Sequence, residues 1–168
     1  MTPRQCEIAA ESYTACLLAQ CGYDISVQYG ANQPYYDLIA DKDGKMMRVS
    51  VKGSQDGGWM LAVKYKNSSN SYADAIDCWF KTQPEDVVFI FVQFIHVSFG
   101  DAPQVFIAST SEIAEHMKTQ CNGRGHGSLQ EDYQRDHPKS QYSHKIPSEW
   151  KLTSERLDRF CEQINKSS

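Results

Sequence analysis

Two apolar, strand-like runs flank a short polar turn in the first third of the chain. They cover residues 36–40 and 46–51, and the segment Asp41-Lys42-Asp43-Gly44 lies between them. Asp-Gly between two such runs is a strong signal for a two-residue β-hairpin turn. The pattern therefore predicts a β-hairpin with Asp43 and Gly44 at the centre of its turn.

The register of this hairpin follows by counting outwards from the turn. Asp37 then lies opposite Ser50, and Lys52 follows two residues further along the same face. The other face carries apolar side chains, namely Leu38, Ala40, Val49 and Val51. One face is thus predicted to join the core, while the other collects Asp37, Ser50 and Lys52.

An N-terminal helix is predicted to bring a second carboxylate to the hairpin. Thr2-Pro3 is a typical helix start, the run to about Cys21 is rich in Ala, Leu and Glu, and Gly22 is a natural stop. Glu11 interrupts a stripe at helical spacing that should face the protein. The stripe consists of Ile8, Glu11, Ala15 and Leu18. A carboxylate that points inward needs a partner.

Further strand and helix patterns follow the hairpin. Strands are predicted at residues 59–65, 87–94 and 105–108, and helices at 72–80, at 153–165, and from a cap at Thr110 or Ser111 to about Lys118. The run 87–94 is almost continuously apolar, which is typical of a central strand buried on both faces. Residues 121–147 are polar and lack periodicity, so they are predicted to form an irregular loop.

These elements predict an α/β fold with a mixed central β-sheet of about five strands flanked by helices. A length of 168 residues with 40% hydrophobic and 23% charged residues suits one domain over residues 1–168. Within it we expect a core at about 1–120, an irregular basic loop at about 121–147 and a closing helix at about 153–165. The chain shows neither a bilayer-length apolar run nor a secretory signal pattern, so we expect a cytoplasmic protein with no membrane contact.

Charge is unevenly distributed along the chain. The formal net charge is -4, and residues 1–117 hold 8 Lys and Arg against 14 Asp and Glu, whereas residues 118–168 hold 9 against 7. Proteins that bind nucleic acid by electrostatics tend to be basic. A nucleic-acid contact would therefore involve the C-terminal third more than the rest of the chain.

The order of these elements resembles the PD-(D/E)xK nuclease superfamily, in particular its Holliday-junction-resolvase-like and intron-homing members. In that superfamily a helix with an inward Glu precedes a hairpin that bears Asp and then an acidic-x-Lys triplet. The corresponding residues here are Glu11, Asp37 and Ser50-Val51-Lys52. The resemblance implies a restriction-endonuclease-like fold and a metal-dependent endonuclease acting on DNA. Ser50 departs from the usual Glu, Asp or Gln.

The chemistry of these side chains suits a hard cation such as Mg²⁺ or Mn²⁺. Carboxylates of Asp37 and Glu11 and the backbone carbonyl of Val51 are oxygen ligands, and Ser50 could hold a metal-bound water. Lys52 could orient or deprotonate the attacking water and neutralise charge on the phosphate. A serine hydroxyl brings no charge to a metal, so either the site uses one weakly bound metal or catalysis has been lost.

Basic side chains outside this hairpin are candidates for DNA contacts. They are Lys64, Lys66, Arg124, Arg135, Lys139 and Lys145. The segment 121–147 also raises a zinc alternative through Cys121, His126, His137 and His144, although their spacing matches no familiar zinc module.

Two other interpretations remain open. Asp37 and Lys52 are ordinary surface residues if Glu11 simply pairs with a neighbouring Lys or Arg. Alternatively the nuclease architecture survives as a binding module without chemistry, such as an immunity or inhibitory protein that recognises a protein toxin, which Ser50 and the acidic balance both favour.

A homodimer is expected for a nuclease that cuts both strands, since two active centres are needed.

Overall fold

The computed structural model describes residues 1–28, 35–133 and 144–166. These ranges contain four helices: α1 (Pro3–Gln20), α2 (Tyr72–Lys81), α3 (Thr110–Gly123) and α4 (Ser154–Lys166). The strands are β1 (Asp24–Val27), β2 (Leu38–Lys42), β3 (Lys45–Ser54), β4 (Gly58–Met60), β5 (Val87–Gln93), β6 (Gln104–Ser109) and β7 (Ser128–Gln130). Short 3₁₀ helices lie at Val63–Tyr65 and Ser148–Trp150. Within these ranges, no helix combines the length and the apolar character needed to cross a membrane.

The β2–β3 hairpin has the predicted turn and register. Asp43 and Gly44 adopt φ angles of 55° and 75°, and Lys42 pairs with Lys45. Two successive residues in the left-handed region match the twist of the flanking strands, which explains why Asp-Gly occupies this turn. Ala40 also pairs with Met47, so every side chain of the hairpin is on the predicted face.

The main sheet has five strands in the order β1-β2-β3-β5-β6, with β3 and β5 parallel and the other neighbours antiparallel. The predicted mixed sheet of about five strands is therefore confirmed. All seven residues of β5 are buried, as expected for the apolar run at its position. The α2 helix lies in the crossover between the two parallel strands.

Two apolar layers cover the two faces of this sheet. On one face α1 and α4 pack through Ala10, Leu18, Leu157 and Phe160 against a cluster that includes Val49 and Ile90. The other face packs against α2, α3 and the β4–β7 pair, with Trp59, Trp79, Phe89, Phe91 and Leu129 in the cluster. Since Leu38, Ala40, Val49 and Val51 belong to the first cluster, Asp37, Ser50 and Lys52 project towards the second face.

Local capping explains where the helices begin. At α1 the Thr2 side chain accepts a hydrogen bond from the Gln5 N–H, and the Gln5 side chain accepts one from Thr2, as in a capping box. The cap of α3 is Ser109, whose hydroxyl accepts from the Glu112 N–H, so the predicted cap at Thr110 or Ser111 is wrong by one or two residues. The closing helix is present at Ser154–Lys166.

Two predictions about the middle and the end of the chain are wrong. The predicted strand at 59–65 ends at Met60, because Ala62 adopts φ -101° and ψ -2° and the chain turns into the 3₁₀ helix Val63–Tyr65. The segment 121–147 is not uniformly irregular, since Ser128–Gln130 forms buried β7, paired with β4. Residues 134–143 of that segment lie outside the described residues.

Candidate active site

Asp37 is fixed by the backbone of β3. It precedes the first residue of β2, and its N–H donates to the Val49 carbonyl at 2.8 Å. The Asp37 Oδ2 atom accepts hydrogen bonds from the Val51 N–H at 2.6 Å and from the Ser50 hydroxyl at 3.3 Å. The side chain is 14% exposed. The carboxylate is therefore held in place while one of its sides faces solvent.

Lys52 lies next to this carboxylate on the same face of the sheet. Its Nζ atom is 3.7 Å from Asp37 Oδ2, and 41% of the side chain is exposed. The Lys52 carbonyl accepts a hydrogen bond from Trp59 Nε1 at 2.9 Å, which anchors the end of β3. An ammonium group this exposed can reach an incoming anion without leaving its carboxylate partner.

Helix α1 approaches β3 closely at Gly53. A Cβ atom at this position would lie 2.9 Å from the Cys6 carbonyl oxygen and 3.0 Å from Ala10 Cβ, so any larger residue would push the helix away. The buried face of α1 consists of Cys6, Ala10, Thr14 and Leu18. The predicted inward stripe is thus rotated: Ile8 is 48% exposed, whereas Glu11 and Ala15 lie partly buried beside the true inner face.

Glu11 interacts electrostatically with both Asp37 and Lys52. Burial raises the pKa of Glu11, the negative charge of Asp37 raises it further, and the positive charges of Arg4 and Lys52 oppose both effects. Glu11 forms no ion pair within 4 Å with a residue of the described ranges, so a simple surface pairing with Lys or Arg is not seen there. The charges of Asp37 and Lys52 therefore both act on the partly buried Glu11, although Glu11 belongs to α1 and Asp37 lines the other face of the sheet.

This donor set suits a hard divalent cation. Asp37 Oδ2 takes the three contacts from β3, whereas no hydrogen bond to Oδ1 is present in the described part of the chain. The N–H and C=O of one residue in an antiparallel strand point to the same side, so the Val51 carbonyl points to the side on which its N–H reaches Asp37. No three His, Cys, Asp or Glu side chains in the described ranges form a metal-binding set, which leaves two carboxylates and a carbonyl.

A groove of about 650 Å³ extends from these residues along the second face of the sheet. Asp37, Ser50 and Lys52 line it, and so do Met60, Leu61, Val63, Lys64 and Tyr65 of the chain that follows β3. Of the two lysines predicted near the site, Lys64 lines the groove. Lys66 does not line it; its Nζ lies 5.5 Å from the Tyr72 ring centroid and donates to the Asn67 carbonyl.

Arg124 and Lys145, which are also predicted to contact DNA, do not line this groove. Arg124 is exposed after the end of α3, and its Nε donates to the Cys121 carbonyl at 3.2 Å. Lys145 pairs with Asp132 at 3.2 Å. Arg135 and Lys139 lie outside the described residues.

The zinc alternative finds only pairwise contacts. Cys121 Sγ lies 3.6 Å from His144 Nε2, and the rings of His126 and His144 are 5.4 Å apart between centroids. No three of the described His, Cys, Asp and Glu side chains form a metal-binding set here either, and His137 lies outside the described residues.

Comparisons with known proteins agree with this arrangement. The family model described as PD-(D/E)XK endonuclease matches residues 1–96, a range that includes every residue of the carboxylate and lysine cluster. No curated protein matches the chain significantly in sequence.

Two solved structures are similar in fold. The bacterial homing endonuclease I-Ssp6803I is 10% identical with a TM-score of 0.54, over 98% of this chain and 97% of that chain. Hjc, a Holliday junction resolvase from the archaeon Archaeoglobus fulgidus, is 10% identical with a TM-score of 0.37, over 62% of this chain and 73% of that chain. The first likeness shows a restriction-endonuclease-like fold, and the weaker one carries no argument.

Proposed function

This chain belongs to the PD-(D/E)XK endonuclease family, and from that premise we propose that it is a metal-dependent endonuclease that hydrolyses phosphodiester bonds of DNA. The observation that carries the proposal is the Asp37–Lys52 pair in the groove, with Lys52 Nζ 3.7 Å from Asp37 Oδ2. Glu11 adds to it, because burial and then the charge of Asp37 raise the pKa of Glu11. Two carboxylates, one of them with a raised pKa, beside a lysine and a groove support an active site.

A Mg²⁺ or Mn²⁺ ion would be held by Asp37, Glu11 and the Val51 carbonyl, with Ser50 in contact through a water molecule. When bound, the ion supplies positive charge at the scissile phosphate and makes water more acidic. The carboxylates favour this ion because its positive charge would offset the repulsion between Asp37 and Glu11, which adds to the effect of burial on the pKa of Glu11.

Lys52 would act on the phosphate and on the attacking water. Its ammonium group can neutralise charge that develops on the phosphate oxygens, and it can orient the water by hydrogen bonding. Asp37 keeps the lysine at this position through the ion pair, while the Val51 N–H and the Ser50 hydroxyl keep Asp37 in place.

DNA would enter along the groove that contains Lys64. This lysine lines the same groove as Lys52, and we expect the two cations to contact phosphates on either side of the cut. Lys66, Arg124, Arg135, Lys139 and Lys145 would add weaker contacts further along the strand. We expect one domain over residues 1–168 and a homodimer, because cutting both strands calls for two centres.

A cleavage assay tests this proposal. The protein is incubated with supercoiled, linear and branched DNA in Mg²⁺, Mn²⁺ or EDTA, beside Asp37→Ala and Lys52→Ala. We expect metal-dependent cutting that falls about a hundredfold or more in both variants. Lys45→Ala is the matched control, since Lys45 is an exposed lysine at the far end of the same strand.

The second candidate function is a binding module without chemistry. Ser50 favours it, because this buried side chain is 3% exposed and supplies no negative charge beside Asp37. In that case no metal binds and no DNA is cut, and the acidic first 117 residues would recognise a basic protein partner such as a toxin. Metal-dependent cutting that Asp37→Ala abolishes would exclude this candidate.

A further inference from the structure

The groove beside Asp37 and Lys52 is larger than a phosphate group alone would fill. Its volume is about 650 Å³, and it continues from Asp37, Ser50 and Lys52 to Trp79, Thr82 and Gln83. The part lined by Met60, Val63, Trp79, Thr82, Gln83 and Phe89 is here called the extension. A phosphate is recognised by charge and hydrogen bonds, so the apolar side chains of the extension have no role in holding it and suit another part of the substrate.

Apolar side chains line most of this extension. Trp79 and Phe89 are buried at 4% and 2% exposure and form its floor. Met60 and Val63 form its rim at 80% and 41% exposure, so they add exposed apolar surface beside the buried rings of Trp79 and Phe89. An apolar floor with an apolar rim fits the flat face of a nucleobase, which stacks on such side chains in a sequence-tolerant way.

Positive charge also lies along this groove. Lys52 lies beside Asp37, and Lys64 lines the same groove with its Nζ 5.0 Å from the Tyr65 ring centroid. Two cations and an apolar surface in one groove match a nucleotide, because successive phosphates flank each base. A paired base inside a duplex cannot reach such a surface, since its faces are covered by its neighbours.

We propose that this groove takes one unstacked nucleobase next to the scissile phosphate, so that the preferred substrate is DNA with an unpaired nucleotide at the cutting site. This inference rests on the proposed nuclease function. The energetic reason is the cost of unstacking, which is a few kcal/mol for a paired base and small for an unpaired one. Met60 and Val63 stabilise the extruded base, while Lys52 and Lys64 hold the backbone on either side.

Binding to two matched duplexes tests the proposal. Both have the same sequence, and one carries a single unpaired nucleotide in its centre. Affinity is measured in Ca²⁺, a hard cation that accepts the same oxygen ligands, and cutting is measured in Mg²⁺. We expect about tenfold or tighter binding to the duplex with the unpaired nucleotide, and faster cutting next to it.

Three variants separate the base contact from general effects. Met60→Ala should lose about tenfold in affinity for the duplex with the unpaired nucleotide and nothing for the fully paired one. Lys64→Ala should weaken both equally and lower the salt dependence by about one counterion. Met46→Ala removes another exposed methionine, 60% exposed near the hairpin turn, and should change neither affinity.

Equal affinity for the two duplexes overturns the inference, as does an equal effect of Met60→Ala and Met46→Ala. Efficient cutting of fully paired DNA without any preference overturns it while the proposed nuclease function stands. A protein that neither binds nor cuts either duplex loses both the inference and the proposed function.

Discussion

Glu11 and Asp37 interact from opposite faces of the central sheet. Glu11 belongs to α1, which packs on the face of Val49 and Ile90, whereas Asp37 lies on the face of Ser50 and lines the groove there. The pairing of β2 with β3 ends at Leu38 and Val49, so Asp37 lies at the open end of the hairpin, and its charge raises the pKa of Glu11 beyond the effect of burial. The site thus depends on how closely α1 lies against β3.

Replacing Glu11 by Gln should stabilise the metal-free protein while abolishing metal binding. Burial and Asp37 raise the pKa of Glu11 above its ordinary 4.5, so the folded state binds this proton more tightly than the unfolded chain. The stability that this group contributes is therefore present below about pH 4.5 and lost as pH rises through the raised pKa. At neutral pH the variant avoids that loss.

The measurement is the Tm in EDTA between about pH 4 and 8. Glu11→Gln should melt a few degrees higher than the parent at pH 7, and the difference should vanish near pH 4. Glu7→Gln is the matched control, because Glu7 is an exposed residue of the same helix that pairs with Arg4 at 3.2 Å. A lower Tm for Glu11→Gln at pH 7 would contradict the conclusion that burial and Asp37 destabilise the charged form of Glu11.

Divalent metal should stabilise the folded protein through Asp37. An ion that binds the folded state at about one hundred times its Kd adds about 2.7 kcal/mol, which corresponds to a Tm increase of about 5–10 °C for a chain of this size. Mg²⁺ and Mn²⁺ titrations followed by thermal unfolding measure it. Asp37→Ala should show no increase in Tm. Asp41→Ala, a change in β2 of the same hairpin, should keep the increase. An identical increase in both variants would place the ion elsewhere.

The hairpin and its register were predictable because each depends on local rules. Asp43 and Gly44 accept the left-handed backbone of the turn, and alternation then assigns every side chain to a face. The relation of Asp37 to Ser50 and Lys52 follows from that register. The family resemblance was likewise correct, because it depends on residues within this one supersecondary unit and the preceding helix.

Tertiary contacts decided the features that the sequence pattern missed. Gly53 carries no sign that α1 passes within contact distance of it through Cys6 and Ala10, and the helix is rotated so that Ile8 is exposed. The sequence does not predict strand β7 because Ser128 and Gln130 are polar, although both are buried against the rest of the domain. The alternation at 59–65 predicted a strand, but buried Ala62 takes a helical conformation there.

Adding a carboxylate at position 50 should strengthen metal binding. The Ser50 hydroxyl lies 3.3 Å from Asp37 Oδ2, so the side chain of Ser50→Asp reaches the same ion. Without metal this variant should be less stable than the parent, because a second buried negative charge faces Asp37. With Mg²⁺ we expect about tenfold tighter binding and faster cutting of DNA. Ser50→Asn is the control, because Asn has the shape of Asp without its charge. If Ser50→Asn matches Ser50→Asp in metal affinity, then charge is not what this position lacks.

Gly53→Ala should uncouple stability from activity. The added Cβ would lie 2.9 Å from the Cys6 carbonyl oxygen and 3.0 Å from Ala10 Cβ, so α1 must shift away from β3 at a cost of about 1–3 kcal/mol. The shift carries Glu11 away from Asp37, and we expect metal affinity and cleavage to fall further than the loss of folded protein explains.

Gly100→Ala is a control with a similar strain cost, because Gly100 has φ 93° but no atom within 4 Å of an added Cβ. The two variants are compared by Tm and by cleavage per folded molecule at a temperature where both remain native. If both keep full activity, the closeness of α1 to β3 does not position the carboxylate pair.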